Sequence, residues 1–394
     1  MQIGDEKKIM KRNILLLIVC FITLVAKAQT AESRLRISVL TCAPGGELYA
    51  TFGHTAIRVT DSTKGTDIIF NYGTFDFDDP DFYTKFVRGT LDYFLSVETP
   101  QQFAYAYQMT GRSVWEQVLN LTSAQKQKIN DYLLNNLQGN NKFYRYKFLE
   151  DNCTTRIRDI LQQEGGFTIT KNVAPINSTY RSMLHEYLDK SGMAWTAVGF
   201  DLLLGASTDK KVNRQEALFL PDYFLKGLDS ASIPFVKEKK YFVETGVLEA
   251  EKNNSFPLIL CSAICAILCI PVFLKQKFLA KVNFYINSLL LYLTGVIGFL
   301  LIFLWFFTDH APFANNYNLL WALPFNLIAA FFLSKKPNWL GYYFTMASAI
   351  QGILVFCWFL LPQELNLFFL PIVVMMFFHY VSMSNLRKKN VASV

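Results

Sequence analysis

The residue best placed to act as a nucleophile is Cys153, in the run Glu-Asp-Asn-Cys-Thr-Thr-Arg-Ile-Arg-Asp (150–159). Asp151 and Asn152 are good N-cap residues, and Ile157, Ile160 and Leu161 follow at helical spacing, so a helix is predicted to begin here. Unpaired N–H groups and the helix dipole favour a thiolate at such a position, as do the neighbouring Arg156 and Arg158. Its base would have to be a histidine, and this part of the chain offers two. His54 stands in Phe-Gly-His-Thr-Ala-Ile-Arg-Val (52–59) at the start of a predicted strand, with Gly53 leaving room for a close approach. His185 lies in a Leu/Tyr-rich helical stretch and reads as a packed or surface residue. Geometry rather than chain order defines a Cys–His pair, so a histidine that precedes its cysteine is no objection. On these residues alone, a catalytic pair and two structural residues both stay open. Cys42 adds a third reading, a disulfide to Cys153, although the surroundings of Cys153 suggest another use.

The elements that would hold these residues are a strand-rich beginning and a helical middle. Alternation predicts strands over 35–41, 55–60 and 67–72, the last two joined by the hairpin-type run Asp-Ser-Thr-Lys-Gly. Helical spacing predicts helices over 101–109 and 123–137. The class is α+β.

Composition then limits the setting. Of 394 residues 52% are hydrophobic and 18% charged, against roughly 25% charged in an ordinary soluble domain. The net charge of +7 is unevenly spread: five Lys/Arg against two acids in 1–28, eight against two in 256–394, and a slight acidic excess between. The positive charge therefore orients membrane segments and implies no nucleic-acid partner. Lys7, Lys8, Lys11 and Arg12, the apolar run 14–25 and Ala26-Lys27-Ala28 read as a secretory signal cleaved before Gln29. An uncleaved anchor is the alternative. From Phe256 onward come five apolar runs, 256–274, 282–307, 317–333, 339–361 and 365–384, each about long enough for a hydrocarbon core of ~30 Å, the third marginally. Lysines or arginines follow the first, third and fifth runs and are absent from the other two connections. The positive-inside rule thus puts 29–252 outside the cytoplasm and the tail 385–394 inside. Cys261, Cys265, Cys269 and Cys357 fall in these runs and read as packing residues, and His379 as structural.

Four runs in the exported region carry a resemblance: Gly-Glu-Leu-Tyr-Ala-Thr-Phe-Gly-His-Thr-Ala-Ile-Arg (46–58), Phe-Asn-Tyr-Gly-Thr-Phe-Asp-Phe (70–77), Phe-Val-Arg-Gly-Thr-Leu-Asp-Tyr (86–93) and Asp-Asn-Cys-Thr-Thr-Arg (151–156). In that order they resemble the Lnb N-terminal periplasmic domain. His-Ala-Pro-Phe-Ala-Asn-Asn (310–316) and Asn-Leu-Leu-Trp-Ala-Leu-Pro (318–324) resemble the membrane module of the same family. The resemblance implies a lipoprotein N-acyltransferase, which adds an acyl chain to the α-amine of a diacylated lipoprotein cysteine. It also implies a circularly permuted papain-like domain, of the kind found in LRAT-like acyltransferases, ahead of an all-α five-span transmembrane bundle. His54 and Asn152-Cys153 match the family's catalytic positions. Asn71 is the candidate to orient His54, with Tyr72 as runner-up.

The expected partners are a phospholipid acyl donor, a diacylated lipoprotein acceptor and the inner membrane, with no cofactor and no metal. Arg156 and Arg158 could bind a lipid phosphate or form surface ion pairs. His310, Asn315 and Asn316, on the outside loop after the second run, could contact the substrate amine or headgroup. The same Cys and His with water as acceptor would make a hydrolase, and a domain without chemistry would make a lipid-binding or assembly factor.

Overall fold

The computed structural model describes residues 34–246, 255–274 and 276–384; the expected signal peptide and cytoplasmic tail lie outside the described residues. Seven strands, β1 (Leu35–Cys42), β2 (His54–Asp61), β3 (Thr66–Thr74), β4 (Asp92–Glu98), β5 (Val114–Leu119), β6 (Phe143–Arg145) and β7 (Val236–Val243), form one sheet. Its order is β6-β4-β3-β2-β1-β5-β7 and every pair is antiparallel. Successive side chains on a strand point to opposite faces. Ile37, Val39, Ile57, Val59, Phe70 and Tyr72 therefore share one buried face, and Leu40, Cys42, Ala56 and Ile69 the other. Both faces are covered, which is why β1 is buried almost throughout. The edge strand β7 is mostly exposed and carries Lys237, Glu238, Lys239 and Lys240, charges that discourage pairing with another chain.

The helices between strands are α1 (Phe82–Arg88), α2 (Pro100–Met109), α3 (Ser123–Asn136), α4 (Cys153–Gln163), α5 (Tyr180–Lys190), α6 (Ala194–Leu203) and α7 (Pro221–Asp229). Ile129 and Leu133 of α3 and Ile157, Ile160 and Leu161 of α4 pack on the first face; Phe103 of α2 packs on the second. The domain is thus a mixed α/β sheet domain, and β7 extends it to Val243.

Among the described residues, four further helices are long and apolar enough to cross a membrane: α8 (Phe256–Phe273), α9 (Lys277–Phe306), α11 (Asn338–Cys357, continued to Leu360) and α12 (Leu370–Ser384, preceded by a turn from Leu367). The expected third span is different. Run 317–333 forms a 3-10 turn, Tyr317–Leu320, and an eight-residue helix, α10 (Phe325–Phe332). At 1.5 Å per residue that helix covers only ~12 Å, so among the described residues four of the five expected spans are long helices and the third is a broken segment. Pro324 cannot donate the hydrogen bond that would continue a helix through it. Irregular backbone at membrane depth must be satisfied by protein, and side chains here serve it. Gln351 Nε2 donates to the Leu320 carbonyl at 3.0 Å, the Tyr317 N–H donates to Gln363 Oε1 at 2.6 Å, and the Asn318 N–H donates to Asn316 Oδ1 at 3.0 Å. Gly295 and Gly298 of α9 let the segment lie close, since a Cβ on either would come within 2.2 Å of its backbone. Cys261 and Cys265 pack in the core of this module, and buried His379 is held by Asn287 at 2.6 Å.

The two parts meet along α6. Val198, Leu202 and Leu203 pack against the cluster of Trp321, Trp358 and Leu365. Around them Asn366 donates to Asp201 Oδ2 at 2.6 Å, Asn318 to the Asp201 carbonyl at 2.8 Å and Gln363 to the Leu204 carbonyl at 2.9 Å.

Candidate active site

Cys153 is the first residue of α4, and the residue before it fixes the helix start. Asn152 Oδ1 accepts from the N–H groups of Thr154 and Thr155 at 2.8 and 2.9 Å, and its own N–H donates to Thr155 Oγ1 at 2.7 Å. Its Nδ2 donates to the carbonyls of Phe148 and Phe219 at 2.8 and 3.0 Å. Every polar group of this buried cap is used. Thr154, Thr155 and Arg156 have their N–H groups occupied.

His54 opens β2, opposite Cys42 of β1. Gly53 before it has φ +78°, and a Cβ there would sit 2.6 Å from the Cys42 carbonyl, so only glycine lets the chain turn into the strand so close to β1. Continuing the β2–β3 register from Ile57 opposite Phe70 places Asn71 diagonal to His54 on the same face. Asn71 Nδ2 donates to Glu98 Oε1 of β4 at 2.6 Å, and Asn71 Oδ1 lies 3.2 Å from His54 Nε2. A carboxylate only accepts, so it orients the amide with its oxygen toward the imidazole; Nε2 then carries the proton it donates. That leaves Nδ1 free of Asn71, and the 2.9 Å contact between the Thr55 and Thr154 hydroxyls holds the residues next to His54 and Cys153 together.

Electrostatics follow from this placement. Burial pushes the Cys153 thiol up, but the charge and hydrogen bond of His54, the Thr55 N–H and the Thr154 hydroxyl outweigh it, and the thiol sits below its ordinary value. Burial pushes His54 down, and the charge and hydrogen bond of Cys153 with the Asn71 contact bring it above its ordinary value. Both shifts favour a thiolate–imidazolium pair. Burial raises the Glu98 carboxyl despite its Asn71 partner. Cys42 is a free buried thiol pushed up to about 12 by burial, and Cys153 is also free, so there is no disulfide between them.

Some expected residues stand elsewhere. Arg156 forms a two-point ion pair with Asp151 at 2.6 and 2.7 Å and lies 3.9 Å over the Tyr144 ring. Arg158 is bound to Asp159 at 2.7 Å and the Gln215 carbonyl at 3.1 Å. Tyr72 is buried against Tyr144 on the opposite sheet face from His54. His310 Nε2 pairs with the Phe86 carbonyl at 3.0 Å; the Asn315 carbonyl accepts from Ala206 at 3.1 Å; Asn316 donates to the carbonyls of Leu202 and Leu203. These three residues hold the membrane module to the sheet domain. His185 pairs with Asp201 at 3.0 Å, away from Cys153.

Other residues at the site were not singled out in the sequence. Glu98 lies on a strand that alternation did not single out. The Thr55 and Thr154 hydroxyls, 2.9 Å apart, tie β2 to α4. Arg112 donates to the Ala43 carbonyl at 2.8 Å, and its Nη2 is buried without a partner among the described residues.

Two family comparisons match the chain. The Lnb N-terminal periplasmic domain matches residues 24–186 and the Lnb transmembrane domain matches residues 249–390. No curated protein and no solved structure matches. With both domains in the Lnb order on one chain, and with apolar helices long enough to cross a membrane in the second, this multi-pass membrane protein belongs to the Lnb family.

Proposed function

We propose that the protein is a lipoprotein N-acyltransferase of the inner membrane, working through a thioester on Cys153 in a permuted papain-like domain outside the cytoplasm. The reading is supported by the His54–Asn71–Glu98 hydrogen bonds and by Cys153 at the start of a capped helix, its thiol lowered chiefly by His54, in a domain bound to apolar membrane helices. The Cys153 thiolate attacks an ester carbonyl of a phospholipid, and the Cys153 N–H meets the oxyanion. As the intermediate collapses, the His54 imidazolium protonates the departing alkoxide, releasing a lysophospholipid and leaving the acyl group on sulfur. The α-amine of a diacylated lipoprotein cysteine then attacks the thioester, His54 takes a proton from it, and the thiolate leaves with an amide formed. A thiolate suits both steps, as a nucleophile and as a leaving group. The C-terminal tail lies in the cytoplasm, as the basic residues after the last helix require.

Mass spectrometry of lipoprotein N-termini tests this reading. Cells with the protein should carry N-acylated lipoproteins, and cells with Cys153→Ala should carry free α-amines. Normal N-acylation in Cys153→Ala cells would place the nucleophile elsewhere. If a purified acyl-enzyme discharges equally fast with a free and with an acetylated lipopeptide amine, the acceptor is water and the protein a hydrolase.

A further inference from the structure

Cys153 is joined to the seam with the membrane module by a row of aromatic rings that the proposed chemistry has not used. Gly73, with φ +95°, brings two side chains together: a Cβ built on it would lie 3.6 Å from Cys153 Cβ and 3.7 Å from the Tyr146 ring. Tyr146 stacks on Tyr93 at 4.4 Å between centroids, Tyr93 meets Phe75 at 5.3 Å, and Phe75 meets Phe77 at 4.7 Å and Phe82 at 5.8 Å. Phe82 stacks on Phe86 at 6.0 Å. These are ordinary aromatic packing distances. The row opens to the surface at its far end, where Phe77 is 68% and Phe86 50% exposed.

That far end touches the membrane module. The Phe86 carbonyl is bound by His310 at 3.0 Å, and the Arg88 carbonyl accepts from the Asp309 N–H at 2.8 Å. Both donors lie just past the end of α9, whose last residues include Phe306, followed by Phe307, each 64% exposed. The polar residues Thr308, Asp309 and His310 that follow α9 mark the end of its apolar run, where hydrocarbon gives way to headgroups. The exposed rings of Phe77 and Phe86 lie beside that level, and exposed apolar surface there is a place for lipid rather than for water.

We propose that this aromatic row is the acyl-chain track of the donor: a long fatty-acyl chain leaves the bilayer beside α1, lies along Phe86, Phe77, Phe75 and Tyr93, and presents its carbonyl to Cys153. The proposal rests on the Cys153 thioester and adds the class of chain it accepts. An occupant of this length and apolarity gains about 0.8 kcal/mol per methylene buried, so a long chain depends on the track and a short one hardly touches it.

The experiment measures acylation of Cys153 in the full-length protein in phosphatidylethanolamine vesicles. Two donors are compared, a phospholipid with sixteen-carbon chains and the four-carbon ester p-nitrophenyl butyrate. In Phe77→Ser, and in Phe77→Ser with Phe86→Ser, the ratio of long-chain to short-chain rates should fall roughly tenfold or more. Phe77→Leu should restore most of the ratio. An unchanged ratio in both serine variants overturns the track and leaves the thioester standing. Acylation of a Cys153→Ala control at the normal rate sinks the thioester, and the track with it.

Discussion

Among single residues, the reactivity of Cys153 depends on which charge its thiol faces. Its thiol is lowered because the contributions of His54, Thr55 and Thr154 outweigh burial. In His54→Ala burial remains and the largest lowering contributions go, so the thiol must rise. Alkylation of Cys153 by iodoacetamide should therefore proceed at lower pH than for an ordinary thiol in the native protein and shift to more alkaline pH in His54→Ala; coincident profiles would show that the two side chains are not coupled. Acyl-enzyme formation should fall ~10²- to 10⁴-fold in the same variant. Asn71→Ala should cost less, because it removes the orienting bond at His54 Nε2 and leaves the base. Cys153, His54 and Asn71 were legible because each lies in a short run that resembles the family's. Glu98 was not, because only the pairing of β3 with β4 brings it to Asn71. For Arg156 and Arg158 the charge left two readings open, phosphate or ion pair, and the structure holds them to Asp151 and Asp159.

At the scale of elements, the first three strands and the start of α4 were legible, since alternation and N-cap chemistry act over a few residues. Asn152 does more than cap. Replacing it with alanine removes a cap worth ~1 kcal/mol and strips the donors from the Phe148 and Phe219 carbonyls, each worth ~1–3 kcal/mol when buried. Asn152→Ala should lower stability to urea by at least ~2 kcal/mol, and a loss below the cap's own worth would mean that those carbonyls find water. Asn152→Asp keeps the cap's acceptor but sets a negative charge beside the thiolate. Its cysteine should alkylate more slowly at neutral pH than the native one. The break in apolar run 317–333 was not legible for a general reason: hydropathy counts residues without seeing whether backbone is helical. Pro324 was the available signal. The irregular stretch is held by Gln363, Asn316 and Gln351, which bond its backbone, and lies close to α9 because of the α9 glycines.

At the scale of the molecule, the sheet domain and the membrane module are fastened at one buried carboxylate. Asp201, on α6, accepts from Arg181 at 2.7 Å, His185 at 3.0 Å and Asn366 at 2.6 Å, while its carbonyl accepts from Asn318. Composition read α6 as part of an exported domain and could not show that its apolar face enters the membrane module; that depends on side chains more than a hundred positions downstream. The Arg181 and Asp201 side chains are 2% and 3% exposed, and removing one member of a buried pair costs ~3–5 kcal/mol because the other is left charged and dry. Asp209 still holds Arg181 at 2.8 Å, so Asp201→Ala should cost ~3 kcal/mol, the lower end of that range. The sign with pH also follows. Burial raises the Asp201 carboxyl, but His185, Arg181 and Asn366 bring it below its ordinary value. A depressed carboxylate contributes stability above its unfolded pKa and loses it as pH falls through the folded value. Thermal melting of the full-length protein in detergent should therefore drop on acidification below the ordinary carboxylate range, and that acid-dependent part of the drop should be smaller in Asp201→Ala. The same variant should make the chain between α6 and α8 easier to cleave by protease while Cys153 still alkylates at the native rate. Equal melting curves with pH in the two proteins would place the acid sensitivity, and with it the fastening, at another group.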